Sequence, residues 1–380
     1  MSDLIDLRNK IDSIDDKILD LFIERMGLSL EVVKAKNQTG KQVTDTKRED
    51  EILYRLASKT PNELKIYLKE LYSTMFSVSK AYQYTMTDKG SNTIRKLNDI
   101  FSAEEKSFPV SSNVACQGVE GANSGVATKK CFPICNINYF KNFEGVFSAV
   151  EKGLCEFGVL PIENSTAGSV LEVYDLMNKY NFYIVRSIRV KINHCLAVCK
   201  DADKSTIKKV ISHNQALKQC SSYIKNLGVC SEAVENTGVG AKLVSESNDT
   251  AIGAICSKEC AEYYGLKIID ENIEDNSQNY TRFIIISKNL DVYRGSDRIS
   301  VMISAPHESG SLSKILSRFS ALGLNLTKLE SRPIVGSDFE FLFYFDFEGN
   351  IKDKGVLNLI ADLENSSTKF AFLGCYKESL

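Results

Sequence analysis

Polar residues of the N-terminal region have the types and spacing needed to bind a small dianion. Arg25 falls on the heptad positions of an apolar stripe, where a charge is costly unless it is paired. The helices of this region are predicted to supply cations, a carboxylate and neutral polar groups to one interior. That set suits a dianion with an ether and a hydroxyl, although spacing alone does not identify it. Arg25 alone could equally snorkel or pair with Glu24 or Glu31. The candidates are Arg8, Arg25, Lys36, Asp45, Arg48, Glu49, Ser79 and Gln83.

Two strand-to-helix junctions in the middle of the chain have the composition of anion sites. The first follows residues 157–160 and contains Asn164, and the second follows residues 210–211 and contains Ser212 and His213. Backbone N–H groups at such a helix N-terminus bind anions. Neither junction has a P-loop or GxGxxG pattern, so the pair favours a carboxylate ligand over a nucleotide. Taken singly, ordinary N-capping by Asn164 or Ser212 and a structural histidine explain each junction.

The N-terminal 86 residues are predicted to be helical throughout. Apolar residues from Leu4 to Val32 recur at steps of three and four, which predicts one helix of roughly 50 Å to about Lys36. Such a stripe is too long to be buried inside a domain of 86 residues, so it predicts a homodimer or higher homo-oligomer. Further helices are predicted over 46–58 and 62–85.

The rest of the chain changes character twice. Residues 87–112 are polar, which predicts a linker with a short helix near 94–101. Short β-branched runs then alternate with helical stretches over 113–290, which predicts an α/β domain. Residues 297–380 have the order βαββαβ, the ferredoxin-like α+β pattern.

Composition excludes several classes of protein. The 47 Lys+Arg and 49 Asp+Glu give a formal net charge of −2, so nucleic acid is not an expected partner. No apolar run is long enough to span a membrane, and the acidic N-terminus is unlike a signal peptide. The odd count of 11 Cys predicts reduced thiols in the cytoplasm. Pairs spaced C-x3-C are expected to be small buried hydrophobes, with no metal site. The pairs are Cys131/Cys135, Cys195/Cys199 and Cys256/Cys260.

Residues 1–86 resemble the all-helical chorismate mutase domain of bifunctional chorismate mutase/prephenate dehydratase proteins. The resemblance rests on Leu7-Arg8-Asn9-Lys10-Ile11-Asp12, Glu24-Arg25, Lys34-Ala35-Lys36, Asp45-Thr46-Lys47-Arg48-Glu49, and Ser79 with Gln83. It implies that Arg8, Arg25 and Arg48 bind two carboxylates, with Arg8 reaching the partner subunit's site. Lys36 and Gln83 would bind the breaking ether oxygen of chorismate. Glu49 and the backbone at Asp45 would hold the ring hydroxyl, and Ser79 would support a carboxylate.

Residues 114–289 resemble prephenate dehydratase. The motifs are Gly118-Val119-Glu120-Gly121-Ala122-Asn123-Ser124, Pro161-Ile162-Glu163-Asn164-Ser165-Thr166-Ala167-Gly168, Ser212-His213-Asn214-Gln215 with Gln219-Cys220, and Asn279-Tyr280-Thr281-Arg282-Phe283. The resemblance implies two α/β lobes with a cleft, like a periplasmic binding protein. Catalytic positions would be Asn164, Ser212, Gln219 and Thr281, with Ser165, Thr166 and Arg282 binding prephenate. Thr281 would hydrogen-bond the leaving oxygen, and Glu163 is the alternative proton source. Ala122 stands where the family often has Ser or Thr.

The C-terminal region resembles the ACT regulatory domain of the same proteins. The motifs are Glu308-Ser309-Gly310-Ser311-Leu312 and Glu330-Ser331-Arg332-Pro333. The resemblance implies binding of L-phenylalanine at Gly310, Ser311, Leu312, Glu330, Ser331 and Arg332. The whole chain is thus expected to be a multidomain enzyme of phenylalanine biosynthesis that needs no cofactor. The alternative is an α/β plus ACT amino-acid sensor with one or both catalytic domains decayed.

Overall fold

The structure is a computed structural model that describes residues 2–39, 45–84, 91–305, 307–334 and 340–379. The chain forms two compact units by its internal contacts. Unit 1 comprises residues 1–103 and 302–371, and unit 2 comprises residues 104–301 and 372–380. In the described residues, no helix combines the length and the apolar character that crossing a membrane requires.

The N-terminal part of unit 1 is helical, as the sequence predicts. Its elements are α1 (Ser2–Thr39), α2 (Thr46–Ala57), a 3-10 turn (Asn62–Leu64), α3 (Lys65–Tyr84) and α4 (Asn92–Ser102). Helices α1 and α2 both pack against α3. Asp45 begins α2 by accepting a hydrogen bond from the backbone N–H of Arg48, which satisfies one of the unpaired donors at that end. The apolar stripe of α1 is largely exposed in the single chain, and Ile11 and Ile18 are each 55% accessible.

The segment predicted as a linker is partly structured. Ser91 caps α4, and Leu97 of this helix is fully buried. The segment's last residues, Ser111 and Ser112, already belong to the first strand of the next domain. Residues 85–90 lie outside the described part of the chain.

Unit 2 contains two α/β lobes, which confirms the predicted architecture. In chain order the elements are β1 (Ser111–Gln117), α5 (Asn123–Cys131), β2 (Ile134–Phe140), α6 (Phe143–Glu151), β3 (Phe157–Asn164), β4 (Gly168–Ser169), α7 (Leu171–Tyr180), β5 (Tyr183–Lys191), β6 (Cys195–Val198), β7 (Lys209–His213), α8 (Asn214–Gln219), α9 (Ser221–Leu227), β8 (Cys230–Val234), α10 (Thr237–Ser247), β9 (Ile252–Cys256), α11 (Lys258–Tyr263), β10 (Lys267–Glu271) and β11 (Tyr280–Ser287). The first lobe has the strand order β5-β11-β3-β1-β2, and the second has β10-β6-β9-β7-β8.

The cores of the two lobes are separate apolar clusters. Phe132, Phe157 and Ile285 belong to the first, and Leu196 and Ile255 belong to the second. The cysteines of the C-x3-C pairs are buried, apart from the partly exposed Cys135.

The C-terminal segment has the predicted βαββαβ order. Its elements are β12 (Arg298–Ala305), α12 (Ser311–Ala321), β13 (Leu326–Pro333), β14 (Phe341–Glu348), α13 (Lys354–Ser366) and β15 (Phe370–Ser379). Within unit 1, α13 packs against α3 and α4. Within unit 2, Lys377–Ser379 of β15 pair in parallel with Arg186–Ile188 of β5.

Candidate active sites

A cavity of about 400 Å³ lies between α1, α2 and α3 in unit 1, and we call it the helical cavity. Apolar side chains such as Leu28, Val32 and Ile52 complete its wall. The polar residues that the sequence singled out in these helices meet here, with the exception of Arg8. They are Arg25, Lys36, Asp45, Arg48, Glu49, Ser79 and Gln83.

Arg25 is positioned by the packing of α1 on α3. Its guanidinium lies 5.7 Å from the centre of the Phe76 ring. Ser29, one turn later, shares a 2.7 Å hydrogen bond with Ser79, and Gln83 Nε2 donates to the same Ser79 oxygen at 3.2 Å. Within the described part of the chain, the buried Nη1 of Arg25 has no hydrogen-bond partner. A buried cationic donor without an acceptor is costly, so this atom indicates an anionic ligand.

Glu49 is held by a lysine that the sequence analysis missed. Lys80 Nζ lies 2.8 Å from Glu49 Oε1 and donates to Oε2 at 3.1 Å. Both side chains are about a quarter exposed, and both line the helical cavity. Lys80 lies one turn after Phe76 and three residues before Gln83, and this helical spacing was the available signal.

Arg8 does not line the helical cavity of its own chain. It lies on α1 and is exposed, as are Leu4, Leu7 and Ile11 around it. This placement is compatible with the predicted contribution of Arg8 to a partner subunit.

A second cavity of about 330 Å³ lies between the two lobes of unit 2, and we call it the interlobe cleft. Asn164, Gln219 and Thr281 line it, as the sequence predicts. Ala122 and Asn236 are the N-caps of α5 and α10, and both also line the cleft. The described residues that line it include no lysine or arginine. A carboxylate in this cleft would therefore be bound by helix N-termini and neutral polar groups.

A chain of hydrogen bonds runs along the wall of the interlobe cleft to Thr281. His194 Nε2 lies 2.9 Å from Gln219 Oε1, and Gln219 Nε2 donates to Thr166 Oγ1 at 3.0 Å. Thr166 Oγ1 donates to Asn164 Oδ1 at 2.6 Å, and Asn164 Nδ2 donates to Thr281 Oγ1 at 2.9 Å. Because the Thr281 oxygen accepts from Asn164, its own hydrogen is available to a substrate oxygen. Each donor along the chain points toward Thr281, provided that His194 carries its proton on Nε2.

His194 begins this series of hydrogen bonds, and the sequence did not indicate it as a candidate. It lies between β5 and β6, immediately before the first residue of β6, and it is 3% exposed. Burial lowers the pKa of its imidazole below the ordinary value, so the ring is neutral near pH 7. A neutral ring with Nε2–H is the form that donates to Gln219.

Comparisons with known proteins agree with this pair of sites. The family described as prephenate dehydratase matches residues 114–291, and the family described as chorismate mutase type II matches residues 7–84. The bifunctional chorismate mutase/prephenate dehydratase of Escherichia coli (strain K12) is 29% identical over 98% of this chain and 96% of its own length. Arogenate dehydratase/prephenate dehydratase 1 of Arabidopsis thaliana is 36% identical over 74% of this chain and 76% of its own length.

This chain belongs to the bifunctional chorismate mutase/prephenate dehydratase family. A solved prephenate dehydratase from Arthrobacter aurescens, in complex with L-Phe, superposes with a TM-score of 0.64 at 27% identity. That likeness covers 70% of this chain and 89% of the other. The helical cavity corresponds to the mutase part of the family, and the interlobe cleft corresponds to the dehydratase part.

Several residues that the sequence assigned to dehydratase chemistry do not line the interlobe cleft, namely Glu163, Ser165, Thr166, Ser212 and Arg282. Ser212 is fully buried, and its hydroxyl donates to the Ile255 carbonyl at 2.5 Å. Ser165 donates to the Gln278 carbonyl and accepts from the backbone N–H of Tyr280, both at 2.9 Å. Arg282 lies on β11, and its buried side chain contacts the carboxylates of Glu163 and Glu378. The hydroxyls of Ser212 and Ser165 therefore support the backbone around the cleft. Ala122 begins α5 without a side-chain cap, as expected from its methyl group.

The residues expected to bind phenylalanine lie on two elements of the C-terminal segment. Gly310 has φ +82° and begins α12 without a side-chain cap, and Ser311 and Leu312 open the helix. A side chain at this φ would be strained, which favours glycine. On β13, Glu330 and Arg332 are half-buried, and Ser331 is exposed on the other face.

Proposed function

We propose that the helical cavity rearranges chorismate to prephenate and that the interlobe cleft converts prephenate to phenylpyruvate. Family membership supports both activities. The observation that carries the mutase assignment is the convergence of Arg25, Lys36, Arg48 and Glu49 on one cavity, together with the unpartnered Nη1 of Arg25. The observation that carries the dehydratase assignment is the hydrogen bond from Asn164 to Thr281 in the interlobe cleft.

In the mutase reaction no group of the protein reacts covalently. A C–O bond of the ether breaks while a C–C bond forms, and negative charge grows on the ether oxygen. Lys36 and Gln83 stabilise that charge, while Arg25 and Arg48 bind the carboxylates and select the reactive conformer. Glu49 accepts from the ring hydroxyl, the backbone at Asp45 holds the same group, and Ser79 supports a carboxylate.

In the dehydratase reaction the ring carboxylate leaves as CO2, and its bonding electrons expel the ring hydroxyl as the ring becomes aromatic. Thr281 donates a hydrogen bond to the departing oxygen, and Asn164, Thr166 and Gln219 keep that donor in place. Glu163 is the weaker candidate for this role, because it does not line the interlobe cleft and its carboxylate lies 3.3 Å from Arg282.

The mutase site is completed by Arg8 of the partner subunit in a homodimer. The exposed apolar stripe of α1 supports this proposal, because a second copy would cover it. Arg8→Ala and Lys36→Ala should each abolish most mutase turnover. If the two variants are mixed and allowed to exchange subunits, about one quarter of the sites should be rebuilt. No recovery, in a mixture shown to form mixed dimers, would contradict a contribution in trans.

The C-terminal segment acts as an ACT domain that binds L-phenylalanine and lowers dehydratase activity. Its βαββαβ order and the glycine-opened helix α12 support this proposal, and so does the L-Phe complex of the Arthrobacter aurescens protein. The segment covers 297–380, after a mutase domain (1–86), a linker (87–112) and a dehydratase domain (113–290). In a calorimetric titration, Ser331→Tyr and Gly310→Val should weaken phenylalanine binding while turnover without phenylalanine persists. A cytoplasmic location remains a prediction.

Separate assays test the two activities against a sensor whose catalytic sites have decayed. Chorismate consumption reports the mutase, and phenylpyruvate formation from supplied prephenate reports the dehydratase. Both should proceed in the full chain, with Lys36→Ala strongly lowering the first and Thr281→Val strongly lowering the second. A chain that binds phenylalanine but shows neither turnover would support the sensor.

A further inference from the structure

Arg282 lies in a buried cluster of charged side chains behind the interlobe cleft. Its side chain is 5% exposed. Nη1 lies 3.3 Å from Glu163 Oε1, Nε lies 3.1 Å from Glu378 Oε1, and Nη2 donates to the Tyr376 hydroxyl at 2.8 Å. Two of these partners, Tyr376 and Glu378, belong to β15 at the end of the chain. The dehydratase motif and the C-terminal strand are thus joined within unit 2.

The cluster and the catalytic pair occupy consecutive positions on the same two strands. Thr281 pairs with Asn164 across β11 and β3, and Arg282 pairs with Glu163. Successive side chains of a strand point to opposite faces. Thr281 and Asn164 therefore face the cleft, and Arg282 and Glu163 lie on the reverse face.

The ladder is irregular directly beside this pair. The register shifts between Arg282 and Phe283, since Phe283 pairs with Pro161 and leaves Ile162 as an additional residue on β3. Such a bulge bends the strand and re-aims the side chains next to it. The ion pair from Arg282 to Glu163 spans the two strands at this point, next to the pair in which Asn164 reaches Thr281.

Glu378 neutralises more than one arginine in this cluster. Its Oε2 lies 2.7 Å from Arg189 Nη2 and 3.7 Å from Arg298 Nη2, and its side chain is 10% exposed. Ser187 Oγ donates to Oε1 at 3.3 Å. Removing the Glu378 carboxylate would leave the buried guanidinium of Arg282 beside Glu163, whose side chain is 26% exposed. The guanidinium would then be less firmly held.

We propose that Glu378 and Tyr376 are positioning residues of the dehydratase site, acting through Arg282 on the register of Asn164 and Thr281. The proposal rests on the proposed role of Thr281 as donor to the leaving oxygen. It assigns the last strand of the chain to the dehydratase reaction and gives Arg282 a positioning role in place of substrate binding.

Glu378→Gln and Tyr376→Phe in the full chain test this proposal. With prephenate as substrate, Glu378→Gln should lower kcat about tenfold and Tyr376→Phe about threefold, because a displaced donor loses transition-state contact. KM should stay within about twofold, since Arg282 lies outside the cleft. Mutase turnover should be unchanged. Ser379→Ala is the matched control, because it removes the hydrogen bond that Arg186 donates to the next residue of β15 at 3.0 Å. Its kcat should equal that of the wild type.

A double-mutant cycle separates positioning from general damage. In the Thr281→Val background, Glu378→Gln should leave kcat within about twofold, because the donor it positions is already gone. An equal drop in both backgrounds, or wild-type kcat in both single variants, would overturn the proposal. If Glu378→Gln does not fold, Tyr376→Phe decides by the same comparison. Thr281→Val alone tests the proposed function, so a loss there with normal Glu378→Gln turnover rejects only the positioning role.

Discussion

The two candidate sites offer a dianion different kinds of positive charge. Arg25, Lys36, Arg48 and Lys80 line the helical cavity. The described lining of the interlobe cleft instead consists of amides, hydroxyls, apolar groups, two histidines and Glu235, with the N-caps of α5 and α10 opening onto it. We therefore expect full positive charges to hold the substrate of the first reaction, and partial charges on backbone N–H groups to hold the substrate of the second.

The fate of the substrate's charge explains this difference. The mutase reaction keeps both carboxylates and adds charge on the ether oxygen, so a fixed cation is at least as favourable in the transition state as before it. The dehydratase reaction removes one carboxylate as CO2. A cation beside that group would stabilise the ground state more than the transition state and would slow the reaction. Neutral donors avoid this penalty and still orient the substrate.

The largest effect is expected from removing the cation at the ether oxygen. Lys36→Ala should lower mutase kcat by about 10²- to 10³-fold, about 3–4 kcal/mol, as for loss of one preorganised donor. Phenylpyruvate formation from supplied prephenate serves as the internal control and should be unchanged. Normal chorismate turnover in this variant would exclude the electrostatic role of Lys36.

Thr281→Val tests the neutral donor of the second site and should have the next largest effect. The substitution keeps the branched shape but removes the hydroxyl, so kcat should fall about 10²-fold with little change in KM. Mutase activity in the same preparation is the control. A raised KM with normal kcat would mean that Thr281 only binds prephenate.

Sequence periodicity predicted the fold where local signals are strong. The helices of the N-terminal region and the βαββαβ order were predicted, but β1, β2, β8 and β10 were not. These strands are short or rich in Ser, Asn and charged residues, and their pairing partners hold them extended. The last strand of the βαββαβ order, β15, extends to Ser379 because its polar end pairs with β5.

Motifs predicted which residues lie near each site, but not the direction of every side chain. Thr281 and Arg282 are adjacent in one motif, yet a strand sends them to opposite faces, which the two-residue period already implied. Lys80 and His194 lie outside the motifs and reach their sites through tertiary packing.

The contact of Glu378 with the dehydratase sheet limits how regulation can be tested by truncation. A chain cut after residue 290 would remove Glu378 as well as the effector segment, so it cannot isolate regulation.

Lys80→Met should produce a moderate effect on the cation-rich site. The variant leaves Glu49 without its 2.8 Å partner, so the carboxylate is less well placed for the ring hydroxyl. Both groups are about a quarter exposed, so we expect about 1 kcal/mol, or roughly fivefold in mutase kcat/KM. Lys69→Met on the exposed face of α3 is the matched control. Equal activity of the two variants would show that Lys80 does not position Glu49.

The smallest effect, from added salt, distinguishes full charges from partial charges most directly. Raising KCl from about 50 mM to about 500 mM shortens the screening length from about 14 Å to about 4 Å. The KM for chorismate should then rise about two- to threefold, because exposed cations such as Arg48 attract the substrate over longer distances.

The KM for prephenate should rise less over the same range. The partial charge of a helix N-terminus acts only within about one turn. Salt ions cannot enter between its N–H donors and a bound substrate. Chorismate and prephenate are both dianions, so the effect of salt on the free substrates is matched between the two assays. Lys80→Met should reduce the slope for chorismate only. Equal slopes in the wild type would mean that the interlobe cleft binds prephenate through a cation, and the contrast between the two sites would then be wrong.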